Sequence, residues 1–588
     1  MKINFEKTPK FTADFETCTW LENETYVWAW ATYNIDNKNF TYGNNIADFI
    51  EFCKYYHNPI IYMHNLKFDG EFIIYFLNTH GYKYIKDKKD RANYTYTTLI
   101  NNQGMFYTIE VYFRVGNQQT KKVTFVDSLK IIPFSVKDIA ERYGMNISKL
   151  DLDYNKKREK GHKLTLEEIK YIRNDVEIVA RALKHNFDNG LTKNTLSANA
   201  LNEFIKTIKR DVYEYIFPQL DYDIDKDIRQ AYKGGINYLN PEYKGKELKK
   251  GTTIDCNSLY PYVMRTKLMP YGEPIFFKGQ YVYDKDYPLY VQQIYCKFKI
   301  KENKIPTIMK KGVGLYAGNK YLLEHEGNGM CLTLTSVDLK RFFENYDVIN
   351  PVYLSGWKFK AMNGIFDKYI DTWVQIKNFA TEKNIPALRQ TAKLMLNALY
   401  GKLATSQDEQ SKQSYVDENG VVKYKLNDAG KKTGGYIPVG AFITAYAREE
   451  TINVCQKVIN YSIKKYGKNL YCYADTDSCH CLLSAEELKE FINIDPVELG
   501  AWKIEGEFTK AKFIKQKCYI EKLKDKSIKI ICSGMPKECF EKIEWDKFKE
   551  GFTCTGKLAY KHVKGGVKLI EETYTIKKEE FKKELKKF

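Results

Sequence analysis

The chain has 588 residues, so at roughly 100–200 residues per domain it holds about three to five domains. A content of 44% hydrophobic and 28% charged residues excludes wholesale disorder. Lys and Arg number 93 against 74 Asp and Glu, and the net charge of +19 points to a polyanionic partner, nucleic acid before an anionic membrane.

Through about residue 190, strand-like runs (TYVWAWATYNI, PIIYMHN, YFRVG, KVTFVDSL) alternate with helix-like runs (VKDIAERYG, LEEIKYIRNDVEIVARALKHNF). The pattern predicts helices packed on a mixed sheet. Residues 230–265 carry a glycine pair, a strand and then a second strand-to-helix passage. Residues 267–365 are rich in strand signals, Gly and Pro, whereas 366–402 are strongly helical. Residues 405–435 are polar, and Asn419-Gly420 between two strand-like runs predicts a β-hairpin. A buried strand–turn–strand follows at 469–483. The C-terminal KKEEFKKELKKF sets Phe581, Leu585 and Phe588 on one face of a short basic helix, suited to solvent or to DNA.

No apolar run approaches the ~20 residues of a membrane span. The start MKINFEKTPKFTADFE has no secretory core, so a cytosolic protein is expected. The 13 cysteines are scattered without a CxxC pair, which speaks against a disulfide framework and a four-cysteine zinc site. On a strand, Cys479 and Cys481 would face one side and His480 the other, which disfavours zinc there too. Aromatic residues reach 15%, with 47 Tyr, and offer rings for stacking on bases.

Several carboxylates stand in patterns that carry chemistry. Asp14 and Glu16 project from one face of a strand, where they repel unless a divalent cation lies between them. The segment His64-Asn65-Leu66-Lys67-Phe68-Asp69-Gly70 follows a buried strand and places a third carboxylate at a strand-to-loop exit. Tyr171 and Asp175 share a helix face one turn apart. Asp14, Glu16, Asp69 and Asp175 would then surround two metals, with Tyr171 orienting the water. In the second half, Asp255 ends an apolar strand, and Asp475 and Asp477 occupy a hairpin tip. These three form a second set of hard oxygen ligands suited to Mg²⁺. Any single Asp-x-Asp is ordinarily a solvated turn. Here the intervening helix argues otherwise: Arg389, Lys393, Asn397 and Tyr400 align on one stripe, opposite Ala392, Leu396 and Leu399. Two cations and a ring suit a triphosphate and a base, and Gly401 permits close backbone approach.

Together, DFET (14–17), HNLKFDG (64–70) and the Tyr171/Asp175 pair resemble the three exonuclease motifs of family B DNA polymerases. DCNSLYP (255–261), KLMLNALYG (393–401) and YADTDS (473–478) resemble their polymerase motifs A, B and C. Tyr232-Lys233-Gly234-Gly235 and Lys517-Cys518-Tyr519 resemble the YxGG/A and KxY motifs of the protein-primed phi-29-type subgroup. The order holds from about residue 10 to residue 577. The resemblance implies an α+β multidomain chain: an RNase H-like 3′–5′ exonuclease plus a right-hand polymerase with two inserted terminal-protein regions. The implied bounds are exonuclease 1–195, palm 196–266 and 437–533, first insertion 267–369, fingers 370–404, second insertion, a β-hairpin, 405–436, and thumb 534–588.

The resemblance also implies roles. Asp14, Glu16, Asp69 and Asp175 would hold the exonuclease metals, with Tyr171 assisting the water. Thr17, His64, Asn65, Phe68, Ser128, Leu129 and Tyr154 would bind the frayed 3′ strand, and Lys149 resembles an exonuclease-site lysine. Asp255 and Asp477 would hold the polymerase metals, with Asp475 close by. Tyr260 would exclude a 2′-hydroxyl; Arg389 and Lys393 would bind the triphosphate; Asn397, Tyr400 and Gly401 would line the nascent pair. Tyr232, Gly234 and Gly235 would contact DNA, and Lys517 and Tyr519 would hold the primer terminus. Small departures at Cys256, Ala398 and Ala474 remove no ligand. The implied cofactor is Mg²⁺, two per site, with Mn²⁺ as the alternative. The implied partners are template-primer DNA, dNTPs and a terminal protein serving a monomeric, phage-encoded enzyme in the cytoplasm of a bacterial host. Competing readings are a family B enzyme that extends ordinary primers, a nuclease with an inactive polymerase half, and a non-enzymatic DNA-binding module.

Overall fold

In the computed structural model, which describes residues 5–116, 120–154, 156–311 and 319–577, strand Lys10–Thr17 lies inside an eight-stranded mixed sheet. It pairs antiparallel with Val27–Asn34 and parallel with Ile60–Met63, which in turn runs parallel to Lys121–Asp127. Alternation along Lys10–Thr17 divides the sheet's two faces. Phe11, Ala13 and Phe15 are buried with Phe49, Leu66, Phe72 and Leu77 from helices Ile46–Tyr55 and Leu66–Thr79. Each such ring contributes roughly 1.5–3 kcal/mol. The other face meets helix Leu166–Asp188, where Thr12 Oγ1 donates to the Val176 carbonyl at 2.8 Å. That helix starts at a capping box made by Thr165 and Glu168. Asp14 and Glu16 have the parity of Thr12, so they face the helix that carries Tyr171 and Asp175.

The second sheet has seven antiparallel strands, in the order Ile528–Cys532, Cys518–Leu523, Trp502–Lys515, Glu247–Cys256, Ser478–Cys481, Tyr471–Asp475 and Asn237–Leu239. The strands bearing Asp255 and Asp477 are neighbours, with Asp255 opposite Ser478. Helix Ile437–Tyr466 backs this sheet with buried Phe442, Cys455, Val458 and Ile459. Between residues 267 and 365 lies a four-stranded sheet with helix Ser336–Asn345, and the helices Asp367–Glu382 and Pro386–Leu403 follow. The hairpin expected around Asn419-Gly420 is formed by Lys412–Val416 and Val422–Leu426, with Gly420 at φ +73°.

Two expectations change. Asp69 sits not in a loop exit but in the first turn of helix Leu66–Thr79, because Asn65 at φ +76° turns the chain directly from strand into helix. Cys539 and Cys554 are joined in a disulfide, which the scattered linear spacing conceals. Folding gathers both into one cluster with Cys518 and Cys532. The amphipathic segment at Phe581, Leu585 and Phe588 lies outside the described residues. Cys479, His480 and Cys481 are fully buried, and the imidazole of His480 bonds Glu521 at 2.7 Å, a structural pairing. Among the described residues no helix is long and apolar enough to cross a membrane.

Candidate active sites

Asp14, Glu16 and Asp175 each offer an oxygen within 4.8 Å of the others. Glu16 and Asp175 are buried, and Asp14 is half-buried. Asp69, also buried, accepts the Phe15 N–H at 3.2 Å and so lies against the same strand. Burial raises all four carboxyls, and neighbouring acids add to this at Asp14, Glu16 and Asp69: Asp14 is pushed up to about 7, with Asp175 adding to burial. Lys149 opposes this, its ammonium 2.5 Å from Asp175 Oδ2 and 5.4 Å from the Tyr171 ring. Asp175 Oδ1 is buried without a hydrogen-bond partner. A set of acids this close, with an acceptor left open, is balanced only by protons or by cations, and so fits divalent ions. The Tyr171 and Tyr154 hydroxyls lie 2.7 Å apart, and the Tyr154 ring is half exposed. Thr17 ends the strand and is half-buried.

The other expected strand-binding residues gather at the start of helix Leu66–Thr79. His64 is spoken for by protein: Nε2 donates to the Phe134 carbonyl at 2.7 Å and Nδ1 meets Ser128 Oγ at 3.0 Å. Burial lowers its pKa to about 4, so it is neutral and orients the loop, and Ser128 is wholly buried. Asn65, Phe68 and Leu129 remain half-buried at the surface. The sequence reading missed Asp127. This buried carboxylate accepts the N–H groups of Asn65, Leu66 and Leu129 at 3.0–3.3 Å and fixes both segments. Its place at the exit of KVTFVD, like Asp255 at the exit of its own strand, was the available signal.

In the seven-stranded sheet, Asp255, Asp475 and Asp477 are half-buried at the strand ends. The Cys256 N–H donates to the Asp477 carbonyl at 2.7 Å, which ties the strand of Asp255 to the turn of Asp477. Burial, then Asp255, pushes Asp477 up to about 7. Asp475 turns away toward Asn237, Thr476 and Lys517, whose ammonium is 3.3 Å off. Gly235 of the linker packs on the same turn: a Cβ there would fall 2.8 Å from Thr476 Oγ1. Gly234 has open space, and its carbonyl, like that of Lys233, accepts Arg448 at 2.8 Å. Tyr519 is buried among Tyr473, His480 and Phe513. Lys517 is exposed at φ +54°.

On helix Pro386–Leu403, Arg389, Lys393, Asn397 and Gly401 are exposed in one stripe, and Ala392, Leu396 and Leu399 are buried. Tyr400 stacks on Tyr260, centroids 4.1 Å apart and planes 18° from parallel, with Tyr232 nearby. Two cations escaped the sequence reading. Lys503 lies across the strand pair from Asp255, 2.7 Å from its Oδ1. The half-buried Lys377 has its pKa lowered, first by burial and then by Arg389, Lys393 and Lys503, so these four cations share one space. Only the fold brings them together, since Lys503 is remote in sequence.

Comparison with known proteins accords with this geometry. The family described as DNA polymerase type B, organellar and viral, matches residues 52–160 and 151–494. The DNA polymerase of Bacillus phage phi29 is 39% identical over 96% of this chain and 99% of its own length. That of Streptococcus phage Cp-1 is 32% identical over 97% and 99%. Among solved structures, phi29 DNA polymerase in an orthorhombic crystal form superposes with a TM-score of 0.91 at 37% identity, over 97% of this chain and all of that one. Phi29 DNA polymerase complexed with primer-template DNA and incoming nucleotides gives 0.89 with the same coverage. On this family match and these relatives, the chain belongs to the type B DNA polymerases, as a member of the phi29-type group.

Proposed function

We propose that the chain replicates a linear phage-type genome by protein priming, as a DNA-directed DNA polymerase that proofreads with its own 3′–5′ exonuclease. The observation that carries this reading is a pair of separate carboxylate sets in one basic chain, the second facing four cations and a tyrosine stack. Asp255 and Asp477 would hold divalent ions, Mg²⁺ or Mn²⁺, at the polymerase site, and Asp14, Glu16, Asp69 and Asp175 at the exonuclease. Bound there, such ions lower the pKa of an attacking oxygen and neutralise a leaving one. The chain's own residues do the positioning. Lys393, Arg389 and Lys377 take the triphosphate, Tyr260 closes the space beside the sugar, and Tyr400 packs on the nascent pair. Lys517 holds the primer backbone, and Tyr519, buried behind it, fixes its strand. In the exonuclease, Lys149 balances Asp175 while Tyr171, through Tyr154, orients water at the terminal phosphate. A mismatched end stacks poorly and frays toward Phe68 and Tyr154.

The domain bounds proposed are those the resemblance implies. The hairpin in 405–436 serves as a clamp: its Val421 bridges Lys564 of the last hairpin, closing a ring that DNA would thread. The net charge supplies phosphate affinity that falls steeply with salt. A terminal protein seated on 267–369 supplies the first hydroxyl to a monomeric enzyme in a bacterial host's cytoplasm. The test is a primer on a single-stranded circle. Asp477→Ala abolishes extension and leaves 3′ shortening; Asp14→Ala with Glu16→Ala does the reverse. Loss of both activities in either variant refutes two separate sites.

A further inference from the structure

The C-terminal hairpin, strand Thr553–Val563 against Gly566–Thr575, does not stand free of the exonuclease. Its turn is pinned there. The Thr25 N–H donates to the Lys564 carbonyl at 2.9 Å. Gly566 lies on the Phe72 ring so closely that a Cβ would fall 2.6 Å from it. Alternate side chains of a strand share a face. With the turn fixed, Tyr560 and His562 therefore both face helix Leu66–Thr79. His562 Nδ1 comes within 3.7 Å of Glu71 Oε2. The Tyr560 hydroxyl accepts the Asn65 side-chain amide at 3.0 Å, and the Lys67 ammonium sits 4.8 Å over its ring. Its centroid is 6.4 Å from that of Phe68, with the planes tilted by 48°.

That spacing has a chemical meaning. A base held between two rings needs two stacking intervals of ~3.4 Å, ~6.8 Å in all. The pair Phe68/Tyr560 needs to open by only a few tenths of an ångström and to level its tilt. Tyr560 is half-buried, so part of its ring is open to a ligand. Asp69 follows Phe68 in the first turn of the same helix, close enough for its charge to raise the Tyr560 hydroxyl pKa, behind the larger effect of burial. Lys67 beside the ring is placed for a phosphate, and the Asn65 amide is released to the strand once it leaves the hydroxyl.

We propose that Tyr560, from the last hairpin, is a strand-gripping residue of the exonuclease that stacks with Phe68 around a base of a single-stranded 3′ end. The proposal rests on the exonuclease reading given above. In the free enzyme Tyr560 caps Asn65; in the complex its ring grips the strand, so the hairpin that walls the cleft also selects frayed over paired ends.

The test uses the full chain with a single-stranded oligonucleotide carrying 2-aminopurine near its 3′ end, in chelator so that no cleavage occurs. The fluorescence of the analogue is quenched where it stacks. Tyr560→Ala is expected to lose most of the quench and to weaken binding roughly 5- to 150-fold. Tyr560→Phe keeps the ring and frees Asn65, so its quench stays and its affinity equals or exceeds that of the parent. Phe68→Ala loses the quench too. If Tyr560→Ala quenches like the parent while Phe68→Ala does not, the proposal falls and the cleft stands. If neither variant changes the signal, the cleft assignment itself falls, and the proposal with it. If Tyr560→Phe behaves like Tyr560→Ala, the ring is not the gripping element and the proposal is overturned.

Discussion

Glu71 should make the contact between helix Leu66–Thr79 and the two hairpins sensitive to pH. It is 1% exposed on helix Leu66–Thr79, where strand Val422–Leu426 and the C-terminal hairpin meet it. Its Oε2 accepts the Tyr424 hydroxyl at 2.7 Å. Burial pushes its pKa to about 8 against the opposing pulls of Tyr424 and Lys67. Burial, then Lys423 and Lys67, keeps the facing His562 below its ordinary value. Near neutral pH the Glu71 carboxyl and the His562 imidazole are therefore both uncharged. The undocked carboxyl would titrate in the ordinary range, so docking takes up a proton. A carboxyl raised in the docked state favours docking below its docked pKa, and the advantage fades as pH rises toward 8 and levels off beyond it. From about pH 7 to about pH 9 the docking constant falls about tenfold, ~1.4 kcal/mol. Val422, 1% exposed, and the Thr25–Lys564 bond remain, so the ring loosens without the fold dissolving. The assay is dissociation from a primed circle into a heparin trap across that pH range, for the parent and for Glu71→Gln, which cannot ionise. The parent should leave DNA faster as pH rises, and Glu71→Gln should show a flat profile. Parallel profiles for the two proteins would refute the reasoning.

Three further outcomes follow. Tyr260→Val removes the ring stacked on Tyr400 and should lower discrimination against ribonucleotides roughly 10- to 200-fold in single-nucleotide insertion; an unchanged ratio removes Tyr260 from the gate. Deleting residues 411–431 removes the hairpin that touches Lys564 and should shorten rolling-circle products; unaltered product length would show that it is no clamp. Lys503→Ala frees Asp255, and in an Asp14→Ala/Glu16→Ala background Mn²⁺ binding followed by electron paramagnetic resonance should tighten about fivefold, the effect of a partly exposed pair of ~1 kcal/mol. Unchanged binding would mean that the lysine yields Asp255 at no cost.

What the sequence discloses and what it hides divide along a physical line. Asp14 and Glu16 were legible because strand parity is local, and Tyr171 with Asp175 because helix spacing is local. The stripe of Arg389, Lys393 and Asn397 was legible for the same reason. The hairpin at Asn419-Gly420 was announced by its turn chemistry. Lys503, Tyr560 and Glu71 were not legible. Each acts across a contact that links distant segments, Lys503 with Asp255 or Glu71 with Tyr424, and no periodicity encodes such a meeting. The disulfide between Cys539 and Cys554 was hidden likewise, since scattered cysteines say nothing of which strand and helix will converge. Asp69 was placed one element early because a loop and a helix start share the same residues until the backbone angle at Asn65 is known.

The same backbone feature recurs beside the groups proposed to react. Asn65 at φ +76° precedes the turn that carries Asp69, and Ser258 at +54° stands between Asp255 and its helix. Thr476 at +56° separates Asp475 from Asp477, and Lys517 at +54° precedes Tyr519. A left-handed residue other than glycine costs roughly 1–2 kcal/mol, so it persists only where its surroundings hold it. They do so here. Asp127 accepts the Asn65 N–H at 3.1 Å. The Thr476 N–H donates to the Ile236 carbonyl, and Thr451 Oγ1 donates to the Thr476 carbonyl, each at 2.6 Å. The Tyr473 hydroxyl accepts the Lys517 N–H at 2.9 Å. The geometric gain explains the arrangement. At Ser258 and Thr476, a left-handed residue at a strand end reverses the chain within one step beside the half-buried Asp255, Asp475 and Asp477. Glycine would relieve the strain but let the turn wander, and a misplacement of ~1 Å at a reacting group costs about 100-fold in rate. The strained residues are thus offset by the precision they give the carboxylates beside them.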